Sequence, residues 1–127
     1  MRKLKINVKN LSKEFGNKKV LKKLNLKIFE SESLAIIGES GSGKSVLTRC
    51  IIGLTTFNKG QIKYDNINNI KDLNNKKKND YISKFGILFQ NSALLDSLTV
   101  KENLKIAKNQ NDFSNILHNV ALPESIL

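Results

Sequence analysis

One octapeptide constrains the fold of this 127-residue chain more than any other feature. Residues 38–45 read Gly-Glu-Ser-Gly-Ser-Gly-Lys-Ser, which matches the pattern G-x-x-x-x-G-K-S/T in full. The glycines let the backbone curl until several N–H groups point at one spot, where they can cradle phosphate oxygens. A following helix adds the positive end of its dipole. The octapeptide therefore predicts a phosphate-binding loop, provided that a strand precedes it and a helix follows it.

The segments on both sides of the octapeptide fit that requirement. Residues 34–37, Leu-Ala-Ile-Ile, form a short unbroken apolar run that predicts a buried parallel strand. Apolar residues after the loop recur on one helical face: Val46, Leu47, Cys50, Ile51 and Leu54. Gly53 is suited to end that helix. The sequence thus predicts a strand, a phosphate loop and a helix in succession.

Alternation of apolar and polar residues predicts strands before and after this unit. Residues 4–8 and 24–28 alternate around a turn at 14–18, and a further strand begins at 62–64. Residues 66–80 are polar and rich in asparagine and lysine, which predicts a loop with one helical turn near 70–73.

Two more apolar signals follow that loop. Residues 85–89, Phe-Gly-Ile-Leu-Phe, predict a second buried central strand with Gln90 directly after it. Thr99 and Glu102 match a capping box, so a helix should start after Thr99. Asp112 is placed to cap another helix.

Composition limits the classes of partner and compartment. The net charge of +11 is almost all lysine, scattered along the chain, and specific base recognition favours arginine, so we expect no specific nucleic-acid partner. Cys50 is the only cysteine and lies on the apolar helical face, which favours core packing and a cytosolic compartment. Neither a secretory signal nor an apolar stretch of membrane-spanning length is visible.

Taken together, these residues resemble the N-terminal half of the ATP-binding subunit of an ABC transporter, over essentially the whole chain. The resemblance rests on residues 11–21, the phosphate loop, residues 58–62 and residues 87–90. It implies an α/β P-loop NTPase core with an N-terminal antiparallel β-subdomain, truncated before the signature and Walker B elements. The implied division is a β-subdomain at 1–33, a core at 34–98 and the start of a helical subdomain at 99–127.

The resemblance also implies a site for ATP and Mg²⁺. Lys44 would reach the β- and γ-phosphates, and Ser45 and Gln90 would contact Mg²⁺, with Lys44 and Gln90 as the catalytic residues. Phe15 would stack on adenine, although a core phenylalanine is the alternative. The nucleotide-binding set is Phe15, Gly38, Glu39, Ser40, Gly41, Ser42, Gly43, Lys44, Ser45 and Val46. Glu39 is not expected to act as a base, and His118 has no partner pattern.

Several parts that the family uses for hydrolysis are missing from these residues. No apolar strand ending in an acidic residue follows Gln90, and neither a Ser-Gly-Gly signature nor the switch histidine is recognisable. We therefore expect nucleotide binding without efficient hydrolysis by the chain alone. Without the neighbouring Walker B strand, the two apolar strands would expose their edges, and we expect a marginal or aggregation-prone monomer.

The resemblance suggests partners and, less specifically, a substrate. A transmembrane permease and a second ATP-binding subunit would be the partners, at the cytoplasmic face of the inner membrane. Residues 86–103 are similar to the Mla or toluene-tolerance branch, which moves phospholipids, whereas the phosphate loop is also similar to peptide importers. A non-catalytic nucleotide-binding module, a decayed fragment, a small P-loop kinase and a basic nucleic-acid-binding protein are the other readings.

Overall fold

The computed structural model describes residues 2–88, 95–107 and 125, and these divide into two units. The first unit, Met1–Gly86, contains strands β1 (Leu4–Phe15), β2 (Lys18–Phe29) and β3 (Lys59–Tyr64), helices α1 (Lys44–Ile51) and α2 (Asn75–Ile82), and a 3₁₀ turn at Ile70–Asp72. The second unit, Ile87–Leu127, contains helix α3 (Val100–Ala107). None of these helices has the length and hydropathy needed to cross a bilayer.

An antiparallel sheet in the order β2-β1-β3 organises the first unit. Val8 in the central strand pairs with Leu26 on one side and Ile62 on the other, so the alternating apolar residues share one face. Gly16, with φ of 55°, lies in the turn that joins β1 to β2. The predicted strands and their turn are confirmed, although both hairpin strands are longer than the alternation indicated.

The core lies between the apolar face of this sheet and helix α1. Fully buried Val8, Leu11 and Ile62 from the sheet join Leu47 and Cys50 from the helix in one cluster. Burial raises the pKa of the Cys50 thiol, which keeps it protonated and unreactive at neutral pH. The phosphate loop therefore leads directly into a helix that is packed firmly on the sheet.

Helix α2 occupies part of residues 66–80, which we predicted as a loop, and the prediction is wrong there. The helical turn predicted near 70–73 is confirmed by the 3₁₀ turn at Ile70–Asp72. The side chain of Asn74 caps the helix by accepting a hydrogen bond from the Lys77 N–H at 3.0 Å. Tyr81 is 1% exposed, and its ring meets those of Tyr64 and Phe85 edge-on at 5.2 and 5.0 Å. Tyr81 and Ile82, at the end of the helix, are its only apolar contacts with the core, and the residues before them are polar. A helical period of hydrophobicity is therefore too weak in this segment to predict the helix.

The predicted strand at residues 34–37 is also not formed. This segment has no strand partner among the described residues, and Leu34, Ile36 and Ile37 are 42%, 40% and 93% exposed. A parallel strand exists only through hydrogen bonds to neighbours, which apolar composition alone cannot supply. Residues 85–88 of the second predicted strand likewise do not form a strand, and Leu88 is 90% exposed. The remaining residues of that prediction, Phe89 and Gln90, lie outside the described residues.

Helix α3 begins where the capping box predicted. The Thr99 N–H donates to Glu102 Oε2 at 2.8 Å, and the Glu102 N–H donates back to Thr99 Oγ1 at 3.3 Å. The Thr99 hydroxyl also donates to Glu102 Oε2, at 2.9 Å. The Thr99 N–H first, and then this hydroxyl, hold the pKa of the Glu102 carboxyl below its ordinary value. The helix predicted after Asp112, and His118 within it, lie outside the described residues.

Candidate functional site

The backbone of residues 38–43 curls as the octapeptide predicts. Gly41 and Gly43 have φ of 76° and 96°, a left-handed region that other residues enter at a cost of roughly 1–2 kcal/mol. The Ser42 N–H donates to the carbonyl of Glu39 at 3.2 Å and closes a turn inside the loop. At Gly43 a Cβ would lie 2.9 Å from Val20 Cγ1, so the loop passes close to β2. The glycines serve both curvature and close approach.

Lys44 reaches back across the loop from the first position of α1. Its Nζ donates to the carbonyl oxygens of Gly38 and Glu39 at 2.6 and 2.7 Å, and to Ser42 Oγ at 3.5 Å. The ammonium thus lies over the loop, among exposed residues, rather than pointing away into solvent. A phosphate held by the loop amides would meet this positive charge directly.

The N-terminus of α1 presents free donors beside that lysine. Gly43 is the cap residue and makes no side-chain capping bond, while the first intrahelical bond runs from the Leu47 N–H to the Gly43 carbonyl at 2.8 Å. The N–H groups of the first turn, which include those of Ser45 and Val46, have no helical acceptor. Together with the helix dipole they favour an anion.

The first turn of α1 offers magnesium a side-chain oxygen, that of Ser45. Ser45 is exposed in the first turn of α1, where its hydroxyl can take one coordination position. Within the described ranges, no group of three His, Cys, Asp or Glu residues could hold a metal by itself. Mg²⁺ keeps several waters and is usually held by few protein oxygens together with nucleotide phosphates, so the Ser45 hydroxyl beside the loop is a suitable ligand for it. Gln90, the other predicted ligand, lies outside the described residues.

Phe15 lies at the end of β1, beside the hairpin turn, with 49% of its surface exposed. It takes no part in the hydrophobic cluster, so the alternative of a core phenylalanine is wrong. Its ring is covered on one side by the ammonium of Lys13, 4.6 Å from the ring centroid. The role of Phe15 as an adenine platform stays a prediction.

The remaining loop residues fall into two kinds. Glu39 and Ser40 are exposed, and the Glu39 group that acts within the loop is its carbonyl oxygen. Val46 is half-buried and packs against the core from the first turn of α1. Lys13 is the neighbour that sequence reasoning missed, although its position two residues before Phe15 on one strand is a signal that could have found it.

Comparison with known proteins decides between the families that use such a loop. The protein-family model for the ABC transporter matches residues 21–126. The chain belongs to the ABC transporter ATP-binding family. This confirms the predicted family and excludes a small P-loop kinase. Members of this family bind ATP, typically with Mg²⁺.

Two curated relatives illustrate the similarity of this ABC chain to whole subunits. The phosphonates import ATP-binding protein PhnC of Fusobacterium nucleatum is 39% identical over 115 residues, which is 90% of this chain and 46% of that protein. The methionine import ATP-binding protein MetN of Clostridium acetobutylicum is 40% identical over 101 residues, which is 80% of this chain and 31% of that protein. The chain spans less than half the length of these relatives.

Solved structures support the fold of the ABC chain. A dimeric bacterial ABC transporter cassette is 33% identical with a TM-score of 0.72, over 84% of this chain and 48% of that one. A dimeric cassette in a post-hydrolysis state, bound to ADP and Pi, has a TM-score of 0.77 at 28% identity, over 95% of this chain and 59% of that one. The predicted fold, an ABC-type P-loop NTPase with an N-terminal antiparallel sheet, is confirmed.

Proposed function

We propose that this chain is the nucleotide-binding part of an ABC transporter ATP-binding subunit, which couples ATP binding and hydrolysis to transport. One observation carries the proposal. The Lys44 ammonium lies 2.6 and 2.7 Å from loop carbonyls, beside a helix N-terminus that has no side-chain cap. A cation and free amides that converge on one exposed loop suit a polyphosphate.

Each predicted residue takes a role in that proposal. The amides of residues 41–46 hold the α- and β-phosphates, and Lys44 reaches the β- and γ-phosphates. Ser45 and Gln90 contribute to the Mg²⁺ shell, and Phe15 stacks on the base. The proposal keeps the division that the resemblance implied, with a β-subdomain at 1–33, a core at 34–98 and the start of a helical subdomain at 99–127.

The comparisons favour an importer as the whole assembly. The relatives above are named for import of phosphonates and methionine, and their names give no support to phospholipid transport by a Mla-type system. We therefore place an importer of small polar solutes ahead of the Mla branch. Its partners would be a transmembrane permease and a second ATP-binding subunit, at the cytoplasmic face of the membrane.

For the 127-residue polypeptide itself we propose binding without efficient turnover. No acidic residue at the end of an apolar strand follows Gln90 in this sequence, so these residues supply no second Mg²⁺ ligand of that kind and no group to orient water. Phosphate release at a rate comparable with whole family members would contradict this part of the proposal.

Calorimetric titration with ATP and Mg²⁺ tests the proposal. Lys44→Ala removes charge-assisted hydrogen bonds worth roughly 1.5–3 kcal/mol, so affinity should fall about 10- to 150-fold. Lys76→Ala, at an exposed position of α2, removes the same charge away from the loop and should leave affinity within about twofold. Ser45→Ala should weaken binding only when Mg²⁺ is present.

Circular dichroism distinguishes a loss of binding from a loss of folding, because it shows whether each variant retains its helices and sheet. A folded wild type that binds neither ATP nor inorganic tripolyphosphate would refute the proposal. Equal losses in Lys44→Ala and Lys76→Ala would show that general charge, rather than the loop, attracts the nucleotide.

A further inference from the structure

The ammonium of Lys13 contacts the ring of Phe15 near the phosphate loop, and the proposed function gives this lysine no role. Its Nζ lies 4.6 Å from the centroid of the Phe15 ring, within the range of a cation–π interaction. The residue is half-buried, so its aliphatic stem packs against the protein while the ammonium rests on the ring. The ion pairs found in the described part of the chain join other lysines, at Lys3 and Lys5.

The contact lies on the side of β1 that faces helix α1. The Lys13 ammonium opposes the effect of burial on the pKa of Cys50, a residue of α1, and so lies within electrostatic reach of that helix. Lys13 also pairs with Leu21, whose side chain comes within 3.2 Å of a Cβ built at Gly43. The hairpin end that carries Lys13 is therefore next to the loop.

Phe15 itself has little else to hold its ring. It is 49% exposed, ends its strand and is absent from the hydrophobic cluster. An exposed aromatic ring on a strand end samples several rotamers, and a ligand that stacks on it must fix one of them. A cation that already rests on one face selects one ring orientation before the ligand arrives.

We propose that Lys13 is a positioning residue for base recognition, which holds the Phe15 ring by one face and leaves the opposite face for the purine of ATP. This rests on the proposed function and deepens it. The ammonium also draws π-electron density towards itself, so the free face stacks more favourably on an electron-rich base. The lysine acts through Phe15 and does not contact phosphate.

Two ligands separate this role from a phosphate contact. ATP with Mg²⁺ has both base and phosphates, whereas inorganic tripolyphosphate with Mg²⁺ has phosphates alone. Lys13→Met keeps the stem and removes the charge, and we expect it to weaken ATP binding about three- to fivefold while tripolyphosphate binding stays within about 1.5-fold. Lys13→Arg, which preserves the cation–π contact, should restore ATP affinity.

Two further variants serve as controls. Lys9→Met removes a charge from an exposed position of the same strand and should change neither affinity. In a Phe15→Ala background, Lys13→Met should have no additional effect, since the lysine then has no ring to position. Circular dichroism confirms that each variant keeps its sheet.

The outcomes are distinct. Parallel loss of ATP and tripolyphosphate affinity in Lys13→Met would overturn the proposal in favour of a phosphate-binding lysine. If wild type binds both ligands and Lys13→Met binds ATP as tightly as wild type, the positioning role alone would be overturned. A folded wild type that binds neither ligand would overturn the proposed function and this proposal with it.

Discussion

Replacement of Tyr81 by phenylalanine tests how helix α2 is joined to the helix that bears the phosphate loop. The Tyr81 hydroxyl is buried and donates to the carbonyl of Ile51, in the final turn of α1. The last carbonyls of a helix have no helical donor, so this hydroxyl satisfies one of them. Tyr81→Phe keeps the ring and leaves the carbonyl unpaired, which should lower the free energy of unfolding by about 1–2 kcal/mol.

The same hydroxyl predicts a dependence on pH. Burial, and then the neighbouring Tyr64, raise the pKa of Tyr81 above the ordinary tyrosine value of about 10. The folded protein thus keeps a proton that the unfolded chain loses, and stability is unaffected below about pH 10 and falls above it. The slope is about 1.4 kcal/mol per pH unit, so the advantage of wild type over Tyr81→Phe should vanish near pH 11.

Urea unfolding followed by circular dichroism between pH 7 and pH 11.5 measures both effects. Tyr64→Phe is the matched control, because Tyr64 is also buried and its hydroxyl makes no hydrogen bond within the described residues. It should cost less than about 0.5 kcal/mol. The reasoning fails if both variants lose equal stability at pH 7, or if the difference between wild type and Tyr81→Phe is unchanged up to pH 11.5.

Two further predictions concern a glycine contact and a helix cap. At Gly60, φ is 103° and a Cβ would lie 2.6 Å from the Asn10 carbonyl oxygen. Gly60→Ala should therefore lower the free energy of unfolding in urea by at least about 3 kcal/mol. Gly16→Ala is the control, because its Cβ would enter open space, and it should lower that free energy by about 1 kcal/mol. Thr99→Ala removes a cap worth about 1 kcal/mol, so the amides of α3 should exchange about fivefold faster by NMR at pH 7. The pKa of Glu102 is lowered in the folded state, so its contribution to stability is present above pH 4.5 and is lost as pH falls through the lowered pKa. The difference in exchange rate between wild type and Thr99→Ala should therefore narrow in acid, and the part that remains reports the bond from the Glu102 N–H to Thr99 Oγ1.

Features with short-range causes could be predicted from the sequence. Alternation defined the hairpin strands, because one face of a sheet must be buried, and the octapeptide predicted where α1 begins. The capping box of Thr99 and Glu102 works within four residues, so its hydrogen bonds appear where the pattern placed them. The curl of the phosphate loop likewise follows from glycines at 41 and 43.

Features that depend on distant partners could not be predicted in the same way. The apolar run at 34–37 satisfies the composition of a buried strand, but pairing is a relation between segments, and no described segment pairs with it. The error at helix α2 is the opposite one, since a helix forms where the sequence predicted a loop. Its stability comes from Tyr81 packing against Tyr64 and Phe85 rather than from its own polar sequence. To predict the contact of Lys13 with Phe15, one must know where β1 ends and how its last residues pair with β2, and alternation alone does not define either.

The phosphate loop is supported unequally on its two sides. After the loop, α1 is packed on the sheet through Leu47 and Cys50, whereas the segment before it is exposed and unpaired among the described residues. Lys44 joins the two sides, because it starts α1 and donates to the carbonyls of Gly38 and Glu39. A phosphate that draws the ammonium away must therefore offset the loss of these bonds. It can do so by binding the amides on both sides of the loop, so the nucleotide replaces the lysine as the connection between them.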